Sequence, residues 1–99
     1  MRVECLKINL PALRPHCLLR KTGTTPPMYQ LTGAIYPNLI IFGYVTLLEG
    51  RWEATSFEDD YCTRGRSVVR KTRQGAQAWL ERQTLARLVQ HQLNNPDIN

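Results

Sequence analysis

The most concentrated chemistry in this sequence is a run of basic residues in its second half. Arginine forms paired hydrogen bonds with phosphate oxygens and with guanine edges, and the first amides of a helix, here following Thr72, can meet a phosphate. The run therefore predicts a contact with nucleic acid, while the alternative is a solvated edge strand whose charges prevent aggregation. Its five cations are Arg64, Arg66, Arg70, Lys71 and Arg73.

The chain as a whole is also basic. It carries 13 Lys and Arg residues against 8 Asp and Glu residues, a net charge of +5 and an isoelectric point near 9.5. This balance favours an acidic partner, with nucleic acid as the first candidate. Arg51 adds a sixth cation from a neighbouring strand. A shared interface requires Arg51, Arg66 and Arg70 to form one continuous face.

Motifs of known catalytic mechanisms are missing from the sequence. It has no glycine-rich phosphate loop, no GxSxG, no HExxH and no paired-carboxylate motif. Cys17 beside His16 offers a nucleophile and a base, but adjacent side chains seldom point towards each other. We therefore expect a non-enzymatic protein that needs no cofactor.

The cysteines are the other candidates for special chemistry. Cys5, Cys17 and Cys62 are odd in number and widely spaced, which argues against a closed set of disulfides. A zinc site that combines them with His16 and His91 is the alternative, but the sequence has neither a CxxC nor an HxxxH pair. The prediction is three ordinary thiols and no metal site.

An apolar run from Leu39 to Leu48 opens the unit that must position the cations. It is apolar on both parities in its first half, which is typical of a strand covered by the helix on one side and the N-terminal segment on the other. Gly43 interrupts the run and indicates a close approach to Trp52 or Trp79. Glu49-Gly50 then predicts a short hairpin turn, because glycine tolerates the positive φ that such turns need.

The residues after this turn predict two further strands. From Arg51 to Phe57 the side chains alternate, so that Trp52 and Ala54 are expected to face the helix while Arg51 and Phe57 face away. The third strand covers Ser67 to Lys71 and leads directly into the helix.

A periodic helix is predicted from Thr72, a hydroxyl residue suited to cap the first turn, to Asn94. A second apolar side, formed by Leu85, Leu88 and Val89, is covered either by the N-terminal segment or by a second copy of the chain in a homodimer. The side expected to lie on the sheet holds Ala76, Trp79, Leu80, Gln83, Ala86 and Leu93.

Residues 1–38 show few signs of regular structure. Five of the six prolines lie between positions 11 and 38, and Lys21 to Pro27 has the composition of a loop. The exceptions are a short strand within residues 1–10 and a short extended piece from Met28 to Ile35, bounded by Gly33 and Pro37. The predicted fold is a single α+β domain over residues 1–99. It has a three-stranded antiparallel sheet packed on one C-terminal helix within residues 39–93, preceded by an irregular or short-strand N-terminal segment.

Three segments of this unit resemble the arm-type, AP2-like DNA-binding domain of phage tyrosine recombinases. Gly50–Ala54 matches a G-x-W-x-A strand, Arg64–Arg66 matches a glycine-bearing basic connection, and Arg70–Leu80 contains a T-x-x-x-A-x-x-W-L helix start. The resemblance covers residues 39–84. It implies a three-stranded sheet that enters the DNA major groove, with Arg51, Arg66 and Arg70 at the matching sheet positions. The apolar strand from Leu39 departs from the family's exposed reading surface.

Two classes of function remain open. The first is a small basic protein that binds nucleic acid, with DNA favoured by the resemblance, through an arginine-rich sheet face. The alternative is an adaptor or inhibitor, such as a mobile-element protein that binds an acidic or nucleic-acid-handling host enzyme. The longest apolar run, about ten residues, is too short to span a bilayer, and no signal peptide is recognisable. We therefore expect a cytoplasmic protein without membrane contacts.

Overall fold

A computed structural model describes residues 5–23, 25–35, 38–59 and 62–94, without the side chains of residues 34, 35, 38, 39 and 91–94. The described residues form one antiparallel sheet and one helix. Each strand pairs with the next along the chain, and the helix α1 packs against the last three strands. The elements are β1 (Cys5–Leu6), β2 (Cys17–Lys21), β3 (Met28–Ile35), β4 (Asn38–Leu48), β5 (Arg51–Phe57), β6 (Arg64–Arg70) and α1 (Arg73–Asn94).

The α+β class is confirmed, but the predicted three-stranded sheet is wrong because the sheet has six strands. Pro11 and Pro15 lie in the turn before β2, and Pro26 and Pro27 lie in the connection to β3. The two strands themselves contain no proline, so their amides are available for pairing. Pro37 lies outside the described residues. Clustered prolines therefore mark the connections here and do not make the whole segment irregular.

The N-terminal strands extend the sheet edge to edge. β3 pairs along the length of β4, from Met28 opposite Thr46 to Ile35 opposite Asn38. The apolar strand β4 is therefore a central strand between β3 and β5, and the predicted cover of its second face by the N-terminal segment is wrong.

The hairpin turn and the helix start agree with the sequence. Glu49 and Gly50 have φ values of 51° and 77°, as in a two-residue hairpin turn with positive φ at both positions. The hydroxyl of Thr72 accepts a hydrogen bond of 3.0 Å from the amide of Gly75, which is the expected cap of α1. No helix among the described residues is both long enough and apolar enough to cross a membrane.

Gly43 marks the closest approach of the helix to the sheet. A β-bulge at Phe42 turns both Phe42 and Gly43 towards α1. A Cβ at Gly43 would lie 2.6 Å from Cδ1 of Leu80 and would collide with the carbonyl oxygen of Thr55. The close approach is thus confirmed, but its partner is Leu80 and not a tryptophan.

The connection between β1 and β2 is held on the helix by a buried carboxylate. Glu81 is 1% exposed and accepts hydrogen bonds from the amides of Asn9 at 3.1 Å and Leu10 at 2.6 Å. Gln77 donates to the same carboxylate at 2.7 Å and to the carbonyl of Lys7 at 3.0 Å. These bonds place Ile8 and Leu13, both buried, against the core beneath the helix.

Candidate nucleic-acid interface

The sheet has two faces of different character. The helix-bearing face, on which α1 packs, carries buried apolar residues such as Leu31, Val45 and Ala54. Since side chains alternate along a strand, their neighbours point to the other side, which we call the open face. Among the described elements, only α1 packs on the sheet as a separate layer. The open face is therefore the broad surface left available for a partner.

One row of the open face crosses all six strands. The register places each of its residues directly opposite the next, so their side chains stand side by side. Apart from one thiol at the β1 edge, every member carries a group that forms hydrogen bonds, and one member is aromatic. The row consists of Cys5, Arg20, Gln30, Tyr44, Thr55 and Ser67.

An aromatic pair stands at the middle of this face. The rings of Tyr44 and Phe57 have centroids 5.8 Å apart at an interplanar angle of 58°, and both side chains are partly exposed. Thr55, beside Tyr44, is fully buried and shares a 3.0 Å hydrogen bond with Ser67. The neighbouring polar groups thus satisfy each other and leave the rings available as an apolar platform.

Three arginines lie on the open face together with the aromatic pair. Arg64 lies opposite Phe57, Arg20 lies in the same row as Tyr44, and Arg51 lies on the same side of β5 at the hairpin end. Glu53 is the acidic strand residue described on this face, and its carboxylate is 3.6 Å from the guanidinium of Arg64. The Arg64 side chain is 61% exposed and the Glu53 side chain is 24% exposed, so the pair is open to solvent on the arginine side and Arg64 is able to exchange Glu53 for a phosphate.

The predicted set of six cations is divided between the two faces. Arg51 and Arg64 lie on the open face. Arg70 lies opposite Trp52, on the helix-bearing face, and Arg66 lines a depression together with Gln83 of the helix. Arg51, Arg66 and Arg70 therefore do not form one continuous face, which the sequence-based interface required.

The remaining two cations lie where β6 passes into the helix. Lys71 is exposed in the connection, and Arg73 is the first residue of α1. The guanidinium of Arg73 lies 5.5 Å from the ring centroid of Tyr29 and donates a 2.6 Å hydrogen bond to Gln77. Arg73 thus already serves the helix-bearing face, through a cation–π contact and a hydrogen bond.

The predicted protein interface is partly used within the fold. Leu85 and Leu88 are partly buried and pack against the core that includes Ile8 and Leu13, whereas Val89 is 48% exposed. Two of the three residues therefore pack within the fold itself. A homodimer contact on this side stays a prediction, and Val89 is the exposed residue left to carry it.

The position of Cys17 determines the reactivity of its thiol. Cys17 is buried, and burial followed by the negative charge of Glu81 raises the pKa of its thiol to about 11. Its thiol is therefore protonated near neutral pH and a poor nucleophile, while the adjacent His16 is exposed. Cys5 and Cys62 are free and exposed.

The described part of the chain contains no cluster of metal-binding side chains. No three His, Cys, Asp or Glu side chains there lie close enough to hold an ion. The side chain of His91, which the sequence-based zinc alternative included, lies outside the described residues.

Three residues of the open face were not predicted as binding residues, namely Arg20, Tyr44 and Phe57. A signal was present for Phe57, since the alternation of β5 already places it on the side of Arg51. Tyr44 was not recognised because it lies within the apolar run of β4. Arg20 was not recognised because it lies in the proline-rich segment that was predicted to be irregular.

Comparisons of the chain with protein-family models, with curated proteins and with solved structures find no match. The resemblance to the arm-type DNA-binding domain therefore stays a prediction. The width of the sheet argues against face-on docking of all six strands in the major groove. A strand spacing of about 4.8 Å places the outermost strands about 24 Å apart. The DNA major groove is only about 12 Å wide.

Proposed function

We propose that this protein binds single-stranded nucleic acid on the open face of its sheet. The observation that carries the proposal is the partly exposed Tyr44–Phe57 ring pair flanked by Arg20, Arg51 and Arg64. Unpaired bases stack on aromatic side chains, and arginines beside them neutralise phosphates. The proposed partner is still nucleic acid, as the basic sequence favours, but the proposed binding surface is now the open face of the sheet.

The width of the sheet supports a single strand over a duplex. A sheet about 24 Å across does not fit face-on into a groove of about 12 Å. A single strand, in contrast, can run across neighbouring strands of an open sheet, as in RNA-binding folds where a four-stranded sheet stacks two or three bases. The bases then lie on Tyr44 and Phe57, and the backbone passes between the arginines.

The charge of the open face gives a quantitative expectation. Two or three arginine–phosphate contacts on the open face should make the logarithm of the association constant fall with the logarithm of salt concentration with a slope of about −1.5 to −2 for a single strand. Stacking of one base on an aromatic side chain contributes about 1–3 kcal/mol, so removing a ring should weaken binding by roughly tenfold or more.

Fluorescence anisotropy with labelled single-stranded RNA, single-stranded DNA and a duplex tests the proposal. The chain offers a charge-matched comparison of two double substitutions, each of which removes two cations. Arg51→Ala with Arg64→Ala should weaken single-strand binding by at least tenfold, whereas Arg66→Ala with Arg70→Ala should weaken it by less than about threefold, because those side chains lie on the other face. Both variants should keep the circular dichroism spectrum of the parent.

Two results would contradict the proposal. One is the absence of single-strand binding at low salt. The other is a larger loss from the Arg66 and Arg70 pair than from the open-face pair. Stronger binding of the duplex, together with that second result, would favour duplex binding through Arg66 and Arg70, two of the positions that the resemblance implies.

A protein partner is the second candidate, favoured by exposed apolar residues on the same face. Leu18, Leu48 and Val69 are 58%, 45% and 50% exposed, and all three point to the open face. A partner that stays bound after nuclease treatment and is lost from the Leu18→Ser variant would support this candidate. Release of the bound material by nuclease would support nucleic acid.

A further inference from the structure

A depression lies on the open face beside the β4–β5 turn. Its volume is about 460 Å³, and it is lined by Leu48, Glu49, Arg51, Glu53 and Val69. Volumes of about 300–1,000 Å³ are typical of sites for small molecules. The space is therefore sufficient for one nucleobase, and the exposed aliphatic side chains of Leu48 and Val69 give it an apolar surface.

The charges around this depression differ from those of the rest of the open face. Two carboxylates, Glu49 and Glu53, accompany one guanidinium, that of Arg51. The two carboxylates offset the positive charges of Arg51 and of Arg64, whose guanidinium lies 3.6 Å from Glu53, so the depression offers a phosphate no excess of positive charge. It suits an uncharged base that presents hydrogen-bond donors on one edge and acceptors on another.

Glu53 is the better placed of the two carboxylates. It stands on β5 between Thr46 and Val69, its cross-strand neighbours on either side, and is partly buried. Glu49 is exposed and lies in the hairpin turn. A strand position fixes the direction of a side chain better than a turn does, so Glu53 is suited to determine which base is accepted.

Guanine matches this arrangement of groups. Its N1–H and N2–H donors are adjacent and parallel, so one carboxylate accepts both, and its O6 and N7 acceptors suit an arginine. Adenine and cytosine offer a single exocyclic amino group, and uracil and thymine offer a single ring N–H. Guanine alone therefore gives Glu53 two donors and leaves two acceptors for Arg51.

We propose that this depression is a guanine-selective base pocket in which Glu53 accepts the two donors and Arg51 donates to the acceptor edge. The inference rests on the proposed function, because a base reaches the pocket as part of a strand bound across the open face. It adds sequence preference to a surface whose stacking and phosphate contacts are indifferent to sequence.

Competition between an oligouridine and the same strand carrying guanine at regular intervals tests this inference. The parent protein should prefer the guanine strand by at least tenfold, and strands carrying adenine or cytosine instead should gain less than threefold. Glu53→Gln should remove the guanine preference. It should leave oligouridine affinity unchanged or raised, because Arg64 loses its carboxylate partner at 3.6 Å.

Glu58→Gln is the matched control, since it makes the same change in charge at an exposed residue outside the depression. It should keep the guanine preference. A thermal melt of each variant separates an effect on recognition from one on folding.

The outcomes distinguish this inference from the function on which it rests. Equal affinity of the parent for all strands would overturn the guanine pocket and leave single-strand binding intact. A guanine preference that survives in Glu53→Gln would overturn the role of Glu53. Absence of binding to every strand would remove the proposed function, and the pocket with it.

Discussion

The two faces of one sheet differ although the same strands build both. The helix-bearing face holds the core, with Phe42, Val45 and Ala54 at 1% exposure or less. The open face alternates with it and carries arginines, partly exposed rings and hydroxyl groups. Because the side-chain period of a strand is two residues, stability and binding occupy different residues of the same strand. Substitutions on one face should therefore leave the property of the other face largely unchanged.

Buried polar residues have different kinds of hydrogen-bond partner on the two faces of the sheet. On the open face, Thr46 is buried but donates a 3.0 Å hydrogen bond to the carbonyl of Pro27. On the helix side, buried polarity is concentrated in Gln77 and Glu81, which hold the β1–β2 connection. Loss of a buried acceptor on the helix side should therefore be the most damaging change.

Glu81→Ala is the substitution from which we expect the largest loss of stability. It removes the acceptor for the amides of Asn9 and Leu10 and for the side chain of Gln77. Since each hydrogen bond to a charged group contributes about 1.5–3 kcal/mol, we expect the unfolding free energy to fall by about 3 kcal/mol or more when the three bonds are lost. Chemical denaturation measures this change.

Arg82→Ala is the control for the helix itself, because Arg82 is the next residue and is exposed. Its effect should stay within about 0.5 kcal/mol. Similar losses for the two variants would show that Glu81 matters only as a helical residue and would remove the proposed role of its hydrogen bonds.

Gly43→Ala tests the close packing of the helix on the sheet. The added Cβ would lie 2.6 Å from Cδ1 of Leu80 and 3.2 Å from Cα of Ser56. The strand has to shift to admit it, so we expect a loss of about 1–3 kcal/mol by denaturation. Gly23→Ala is the matched control, since a Cβ there meets no atom within 4 Å. Equal stability of the two variants would contradict the tight contact.

Thiol labelling compares buried and exposed cysteines in the protein without any substitution. At pH 8 the exposed thiols of Cys5 and Cys62 should react quickly, while Cys17 should react only slowly. The pKa of Cys17, raised to about 11, means that its thiolate fraction grows about tenfold per pH unit until that pH is reached. Mass spectrometry of the labelled protein assigns each site. Rapid labelling of Cys17 in the folded protein at pH 8 would contradict its placement in the core.

The sequence predicted the parts of the fold that local patterns determine. The Glu49-Gly50 turn, the Thr72 cap and the sidedness of β5 each depend on a few neighbouring residues, and the structure confirms all three. Of the N-terminal strands, β1 lies within the short strand predicted in residues 1–10, and β3 coincides with the extended piece predicted from Met28 to Ile35. Only β2 was missed, because prolines on either side of it made its whole segment look irregular. Strand pairing is a contact between distant segments, and composition does not report it.

The candidate site was predicted less well, because it depends on register. Whether Arg70 shares a face with Arg51 is decided by the residue opposite Arg70, which is Trp52. The loop between β5 and β6 hides that register from the sequence, and a register shift near Phe57 brings Arg64 to the open face. A single residue of register moves a side chain to the opposite face, so residue type alone could not assign the interface.

The hydrogen bonds between Glu81 and the amides of Asn9 and Leu10 also constrain the order in which the fold is completed. They join positions 72 and 71 residues apart, whereas the β4–β5 hairpin closes over a two-residue turn. Long-range closures carry a larger entropic cost than local ones. During synthesis, Asn9 and Leu10 leave the ribosome long before their acceptor does. The strands can therefore pair first, and the β1–β2 connection is fixed only after the helix has been made as far as Glu81.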